Sequence, residues 1–185
     1  MMEITRQGVE DVAELIARQQ ISDVMLRYAR GVDRQDWQSV RACFHDDAID
    51  QHGDFSGTVD QLISSVAERH ASIPFSMHLL GNCLIEFSDR EHAIVETYFV
   101  AIQRHQAAAA EAAPGSADLE VFGRYCDRFE RRNGVWKITA RFVAYDSTRR
   151  QPSTHHLLEL AGIFKPRDTS DPIFRIHRGE LLNRC

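Results

Sequence analysis

The sequence predicts an α+β fold in which N-terminal helices cover one side of a strongly curved antiparallel sheet, shaped as a cone with one open mouth. Three observations predict it. Ile21, Val24, Met25, Tyr28 and Val32 recur at spacings of three and four, the mark of a helix with one apolar stripe. Beyond Phe75 the chain becomes a series of long runs rich in β-branched and aromatic residues, separated by SDRE and RRNG, which read as tight hairpin turns. Three helical signals precede the four long strand signals, with no internal repeat.

Taken in order, the spacing predicts a first helix over residues 10–30, whose polar stripe carries Arg27, Arg30 and Arg34 and whose end delivers Asp33 toward the interior. A short second helix is expected over residues 37–43, ended by FHDDA. Residues 48–51 read as a short strand and residues 53–57 as a turn. A third helix follows over residues 59–70, with Leu62, Ile63 and Val66 on one side, and Pro74 closes it because proline disfavours helical geometry at the preceding residue.

Four long strands are then expected over residues 76–87, 93–103, 120–131 and 135–145. Between the second and third of these lies AAAAEAAPGSAD, residues 107–118. Its alanines offer no apolar face to bury and Pro114–Gly115 break it, so it reads as a mobile hairpin loop. Past Ser147 periodicity fades. HHLLELAGIF is expected to be a short helix or an arm on a neighbouring subunit. The chain thus divides into one domain over residues 1–150 and an extension over residues 151–185, packed on that domain or on a partner subunit.

The 185 residues suit a single domain with a real core. A net charge of -5 leaves no basic footprint for nucleic acid. No apolar run approaches the roughly 20 residues needed to span a bilayer, and the first residues are too acidic for a signal peptide, so a cytoplasmic protein without a membrane partner is expected. Cys43, Cys83, Cys126 and Cys185 form no CxxC pair, which argues against a zinc site or a disulfide framework. The first three read as small core hydrophobes. His45, Asp46 and Asp47 are consecutive and do not converge, and His155 with Glu159 lacks a third ligand, so no metal is expected.

The chemistry centres on His78. It stands near the start of SMHLLGNCLIEF, and strict alternation puts Ser76, Leu80 and Asn82 on its face of the strand. A histidine inside a cone is a candidate base. If the first helix packs over the sheet, Asp33 reaches the imidazole, and a carboxylate on Nδ1 leaves Nε2 as proton acceptor. An acid at the C-terminal end of a helix is otherwise unfavourable, because it faces the negative end of the dipole. With no serine or cysteine in an obvious nucleophile setting, proton abstraction fits better than acyl transfer.

The order YxxGVD at a helix end, FxxDA, SMH at the head of a strand and YxDxFERRNGVWKI, over roughly residues 12–147, resembles the SnoaL-like branch of the NTF2-like superfamily. Within it the chain is most similar to the group of scytalone dehydratase, bile acid 7α-dehydratase and hexachlorocyclohexane dehydrochlorinase. The resemblance implies that Asp33 and His78 form a catalytic dyad and that Tyr28 acts as an acid or orienting group. Tyr28 and Asp33 lie about 140° apart on a regular helix, so they do not share one face of it. A further acid of the bile acid enzyme has no clear match in ETYFVAIQ, where Glu96 and Tyr98 stand.

Tyr98, Tyr125 and Tyr145 are candidate walls of the substrate pocket. Arg141, on the face of Tyr145, is a candidate for stabilising a developing anion, with solvent or a subunit interface as the plainer reading. Trp136 and Ile138 read as packing. The function expected is a cofactor-independent lyase of dehydratase type, or an isomerase, acting on a hydrophobic cyclic small molecule. The alternative is a non-catalytic binding or assembly subunit resembling a ring-hydroxylating dioxygenase β-subunit. Phe99, Phe122 and Phe142 are expected on the outer face of the sheet, where a dimer or trimer would cover them.

Overall fold

A computed structural model describes residues 12–106, 116–152, 167–168 and 170–180. Helices α1 (Val12–Arg34) and α2 (Trp37–Ala42) come first, then strands β1 (Phe44–His52) and β2 (Phe55–Thr58) and helix α3 (Val59–His70). Four long strands follow: β3 (Phe75–Phe87), β4 (His92–Gln106), β5 (Ser116–Arg132) and β6 (Val135–Pro152), and last a short helix α4 (Pro172–His177). All six strands form one open, curved sheet in the order β2-β1-β6-β5-β4-β3. Every neighbouring pair is antiparallel except β1 and β6, which run parallel. The expected α+β arrangement is the observed one.

Helix α1 lays Ile21, Met25, Tyr28 and Val32 on the concave face, against Phe44, Val95, Phe129, Ile138 and Val143. Each such side chain contributes about 1.5–3 kcal/mol of burial. Trp136 and Ile138 are buried as expected. Among the described residues no helix is long and apolar enough to cross a membrane.

Several boundaries differ from the expectation, each for a nonlocal reason. Helix α1 runs one turn past Arg30 and closes in a Schellman arrangement: Asp36 N donates to Gly31 O at 2.8 Å and Gln35, at φ 55°, donates to Val32 O at 3.3 Å. That turn carries Asp33. FHDDA ends the helical part and also begins β1, because Phe44 and Ala48 are buried and the strand has a parallel partner in β6, far away in sequence. The expected 53–57 turn narrows to the residues around Gly53, at φ 65°, and Phe55 already pairs back with His52. Strand β6 continues to Pro152, paired with Ala117 of β5, so the last residues expected in the hairpin loop belong to the sheet. Residues 107–115 of that loop and HHLLELAGIF lie outside the described residues.

Alternation also breaks where the sheet bends. The β3–β4 register shifts between Leu80 and Cys83, so Asn82, expected beside His78, is exposed. Phe99 is a correction in the other direction: it is buried inside, while Phe122 and Phe142 are exposed as expected. Cys43 is buried, and burial pushes its thiol up to about 11. Cys83 is exposed and Cys126 only half-buried, so neither is the core residue expected.

One backbone approach sets the shape of the cone floor. A Cβ at Gly123 would stand 2.4 Å from Ala144 O and 3.0 Å from Cζ of Phe99. Gly123→Ala is expected to destabilise the fold by about 1–3 kcal/mol, since backbone and a packed ring must both move. Urea unfolding of the variant against the parent measures it.

Candidate active site

The end of α1 aims Asp33 at the start of β3. Its carboxylate accepts three hydrogen bonds: from Ser76 Oγ at 3.1 Å, from the His78 backbone N at 2.8 Å and from His78 Nδ1 at 2.7 Å. Both side chains of the pair are more than nine-tenths buried. A carboxyl group buried this far is tenable only where donors meet its oxygens. The bond at Nδ1 fixes the tautomer and leaves Nε2 as the nitrogen turned away from Asp33. The two residues expected to meet do so.

His78 lines a cavity of about 410 Å³ on the concave face. Phe99, Tyr125, Val121 and Leu119 supply apolar walls, and His52, Arg69, Gln103, His105 and Tyr145 supply polar ones. Two hollows of about 320 Å³ elsewhere have no histidine in their walls. Of the residues expected to bind substrate, Tyr125 and Tyr145 therefore stand in the wall of the cavity. Tyr98 does not. Its neighbours Thr97 and Phe99 point inward, so alternation turns it out, where it is 47% exposed under Arg124. Glu96 is also engaged by Arg124, at 2.7 Å.

Arg141 is inside the protein, not at solvent or an interface. Its guanidinium makes two 2.7 Å bonds to Asp127, one strand over, and packs against the rings of Tyr28 and Tyr125 at 4.1 and 4.2 Å. A register shift between Phe44 and Ile49 on β1, opposite Ile138 and Ala140 of β6, accompanies this inward placement. Tyr28 packs edge-on against Phe44 and Tyr125, and burial raises its pKa. Neither Tyr28 nor Arg141 is in the cavity wall; Tyr125, stacked on Phe99 at 4.3 Å, is. The 140° between Tyr28 and Asp33 is resolved without unwinding the helix. The curved sheet wraps α1, so Tyr28 meets the β5–β6 floor and Asp33 meets the β3 wall.

Sequence reasoning missed the residues behind the dyad. Arg167, from the extension, donates to Asp33 O, Val32 O and Ile73 O, each at 2.8 Å, and to His70 Nδ1 at 2.8 Å. A cation on the last carbonyls of α1 suits the negative end of the helix. Arg34 adds an ion pair to Asp171 at 2.6 Å. No local signal marks Arg167. Burial, then the Arg167 charge, hold the His70 imidazole at about 3. Among the described residues no group of His, Cys, Asp or Glu is placed to hold a metal ion.

A SnoaL-like domain model matches residues 13–142, well over half the chain. The chain belongs to the SnoaL-like family. No curated protein is significantly similar to it in sequence. Solved structures share the fold. A candidate scytalone dehydratase from Novosphingobium aromaticivorans DSM 12444 is 21% identical at TM-score 0.64, covering 78% of this chain and 91% of that one. The hexachlorocyclohexane dehydrochlorinase LinA-type3 from Novosphingobium barchaimii LL02 is 18% identical at TM-score 0.67, covering 80% and 98%. A β-subunit described as belonging to an aromatic-ring-hydroxylating dioxygenase, again from N. aromaticivorans, is 19% identical at TM-score 0.56, covering 74% and 93%. At these identities the likeness shows the cone.

His70 makes stability depend on pH. The folded protein keeps the ring neutral down to about 3, whereas an unfolded chain protonates it near 6.5. Between those values the unfolded state binds more protons, so His70's share of stability is complete above 6.5 and is lost as pH falls toward 3. The expected slope is about 1.4 kcal/mol per pH unit at most. Urea titrations at pH 4, 5 and 6 on parent and His70→Gln are expected to show this slope in the parent and its reduction in the variant.

Proposed function

We propose that this SnoaL-like chain is a cofactor-independent lyase of dehydratase type, or an isomerase, acting on a hydrophobic cyclic small molecule. The observation that carries the reading is the 2.7 Å bond from His78 Nδ1 to Asp33 in the wall of a 410 Å³ cavity. His78 Nε2 takes a proton from carbon next to an activating group, and Asp33 steadies the imidazolium that results. Tyr125, Phe99 and Tyr145 pack the ring of the substrate. Arg141 and Tyr28 act from behind Tyr125, setting the position and polarity of that wall without touching the substrate.

The assembly-subunit reading has less support. Its relative, the dioxygenase β-subunit, shares the cone at 19% identity, and the cavity here is open and not filled by side chains. The exposed Phe122, Phe142 and Leu79 on the outer face suit a homo-oligomer under either reading.

Identifying the small molecule that co-purifies, by mass spectrometry, supplies the substrate for the test. His78→Ala is expected to lower turnover by about 10² to 10⁴ while leaving affinity essentially unchanged. Full turnover in that variant overturns the proposal.

A further inference from the structure

The cavity holds a second imidazole backed by a carboxylate. His52 ends β1, next to the outermost strand on one side of the sheet, and His78 opens β3, the outermost strand on the other. Three strands, β6, β5 and β4, separate them, and curvature brings both into the wall of one cavity. His52 Nδ1 is 3.6 Å from Asp50 Oδ1, close enough for an ion pair and just beyond a hydrogen bond. Tyr145 packs edge-on against the His52 ring at 5.9 Å and lines the same cavity.

The charges under this corner do not balance without His52. Asp50 pairs in register with Arg141, and Arg141 with Asp127, which puts a carboxylate on either side of one guanidinium across three neighbouring strands. All three side chains are fully buried. The guanidinium bonds both oxygens of Asp127 through Nε and one Nη, and its other Nη is buried without a hydrogen-bond partner among the described residues. Neither oxygen of Asp50 has a hydrogen-bond partner among the described residues, and neither has His52 Nδ1. A buried anion with no donor is costly, and two acids against one cation leave a negative charge to be met. Of the groups that surround His52, Tyr145 is neutral and Arg69 stands in the cavity wall. A proton on His52 supplies the missing cation and gives Asp50 a donor, which satisfies both orphaned groups at once.

We propose that His52, charged against Asp50, is the proton donor that shares the cavity with the base His78, and that the substrate's leaving group is a hydroxyl. The inference rests on the lyase reading above and narrows it to dehydration. A chloride leaves without a proton; a hydroxide does not. In the step, His78 Nε2 takes hydrogen from carbon as a proton, the C–H pair becomes the new π bond, and the C–O bond breaks with its pair toward oxygen. His52 Nε2–H protonates that oxygen and water departs. His78 ends charged and His52 neutral, and solvent at the mouth returns the proton between them.

The test uses the full chain and two matched probes, cyclic ketones with either a hydroxyl or a chloride β to the carbonyl, with enone formation followed by absorbance above the uncatalysed rate. His52→Gln is expected to lower the ratio of hydroxide to chloride elimination by about a hundredfold, within the span of general-acid catalysis. Asp50→Asn is expected to move the ratio in the same direction. In protein labelled with ¹⁵N-histidine, Asp50→Asn is expected to change the ring-nitrogen signals of His52, a readout that needs no substrate. An unchanged ratio, or His52 ring signals indifferent to Asp50, overturns this inference alone. Turnover of neither probe by the parent chain, or turnover that survives His78→Ala, overturns the lyase reading beneath it.

Discussion

Much of this molecule can be understood from one carboxylate placed where a helix least tolerates it. Asp33 lies at the C-terminal end of α1, buried, at the negative end of the helix dipole. What makes the position tenable is a set of donors drawn from elsewhere: Ser76 Oγ and two nitrogens of His78 on its carboxylate, and Arg167 on the carbonyls beside it. The donors come from β3 and from the extension, both distant from α1 in sequence, so satisfying the acid also docks them against the helix. The same bonds orient His78. Structural need and chemical readiness have a common cause here.

The second organising feature is the buried Arg141. A guanidinium against two tyrosine rings gains from each, and its fork suits the two oxygens of Asp127. Such a residue is expensive to bury and strongly destabilising to leave half-paired. It packs against both Tyr28 and Tyr125, which meet edge-on, and Tyr125 in turn stacks on Phe99 in the cavity wall.

How much of this was legible depended on whether a signal was local. Helix α3 was readable to the residue, since Thr58 caps it, Gln61 completes a capping box and Pro74 follows. The stripe of α1 and the four long strands were equally plain, and YxxGVD with SMH pointed to Asp33 and His78. The start of β1 was not legible, because its reason is a parallel partner on β6. Nor was the burial of Arg141, which needs Asp127 opposite it, although Asp127 alternates inward with Tyr125 and Phe129 and that pattern was available. Tyr98 was misplaced because alternation fixes two faces without saying which is inside. Asn82 was misplaced by a register shift that no residue type announces. His52 fell outside the short strand expected over residues 48–51, so its alternation with Asp50 and Ala48 was not legible.

The clasp made by Arg167 carries a kinetic meaning. It joins groups 134 residues apart along the chain, and contacts that span such distances form late because much loop entropy must first be lost. The helices and the hairpins of the sheet can therefore assemble while the back of the Asp33 turn is still open to water, and the site acquires its final geometry only when the guanidinium closes over it.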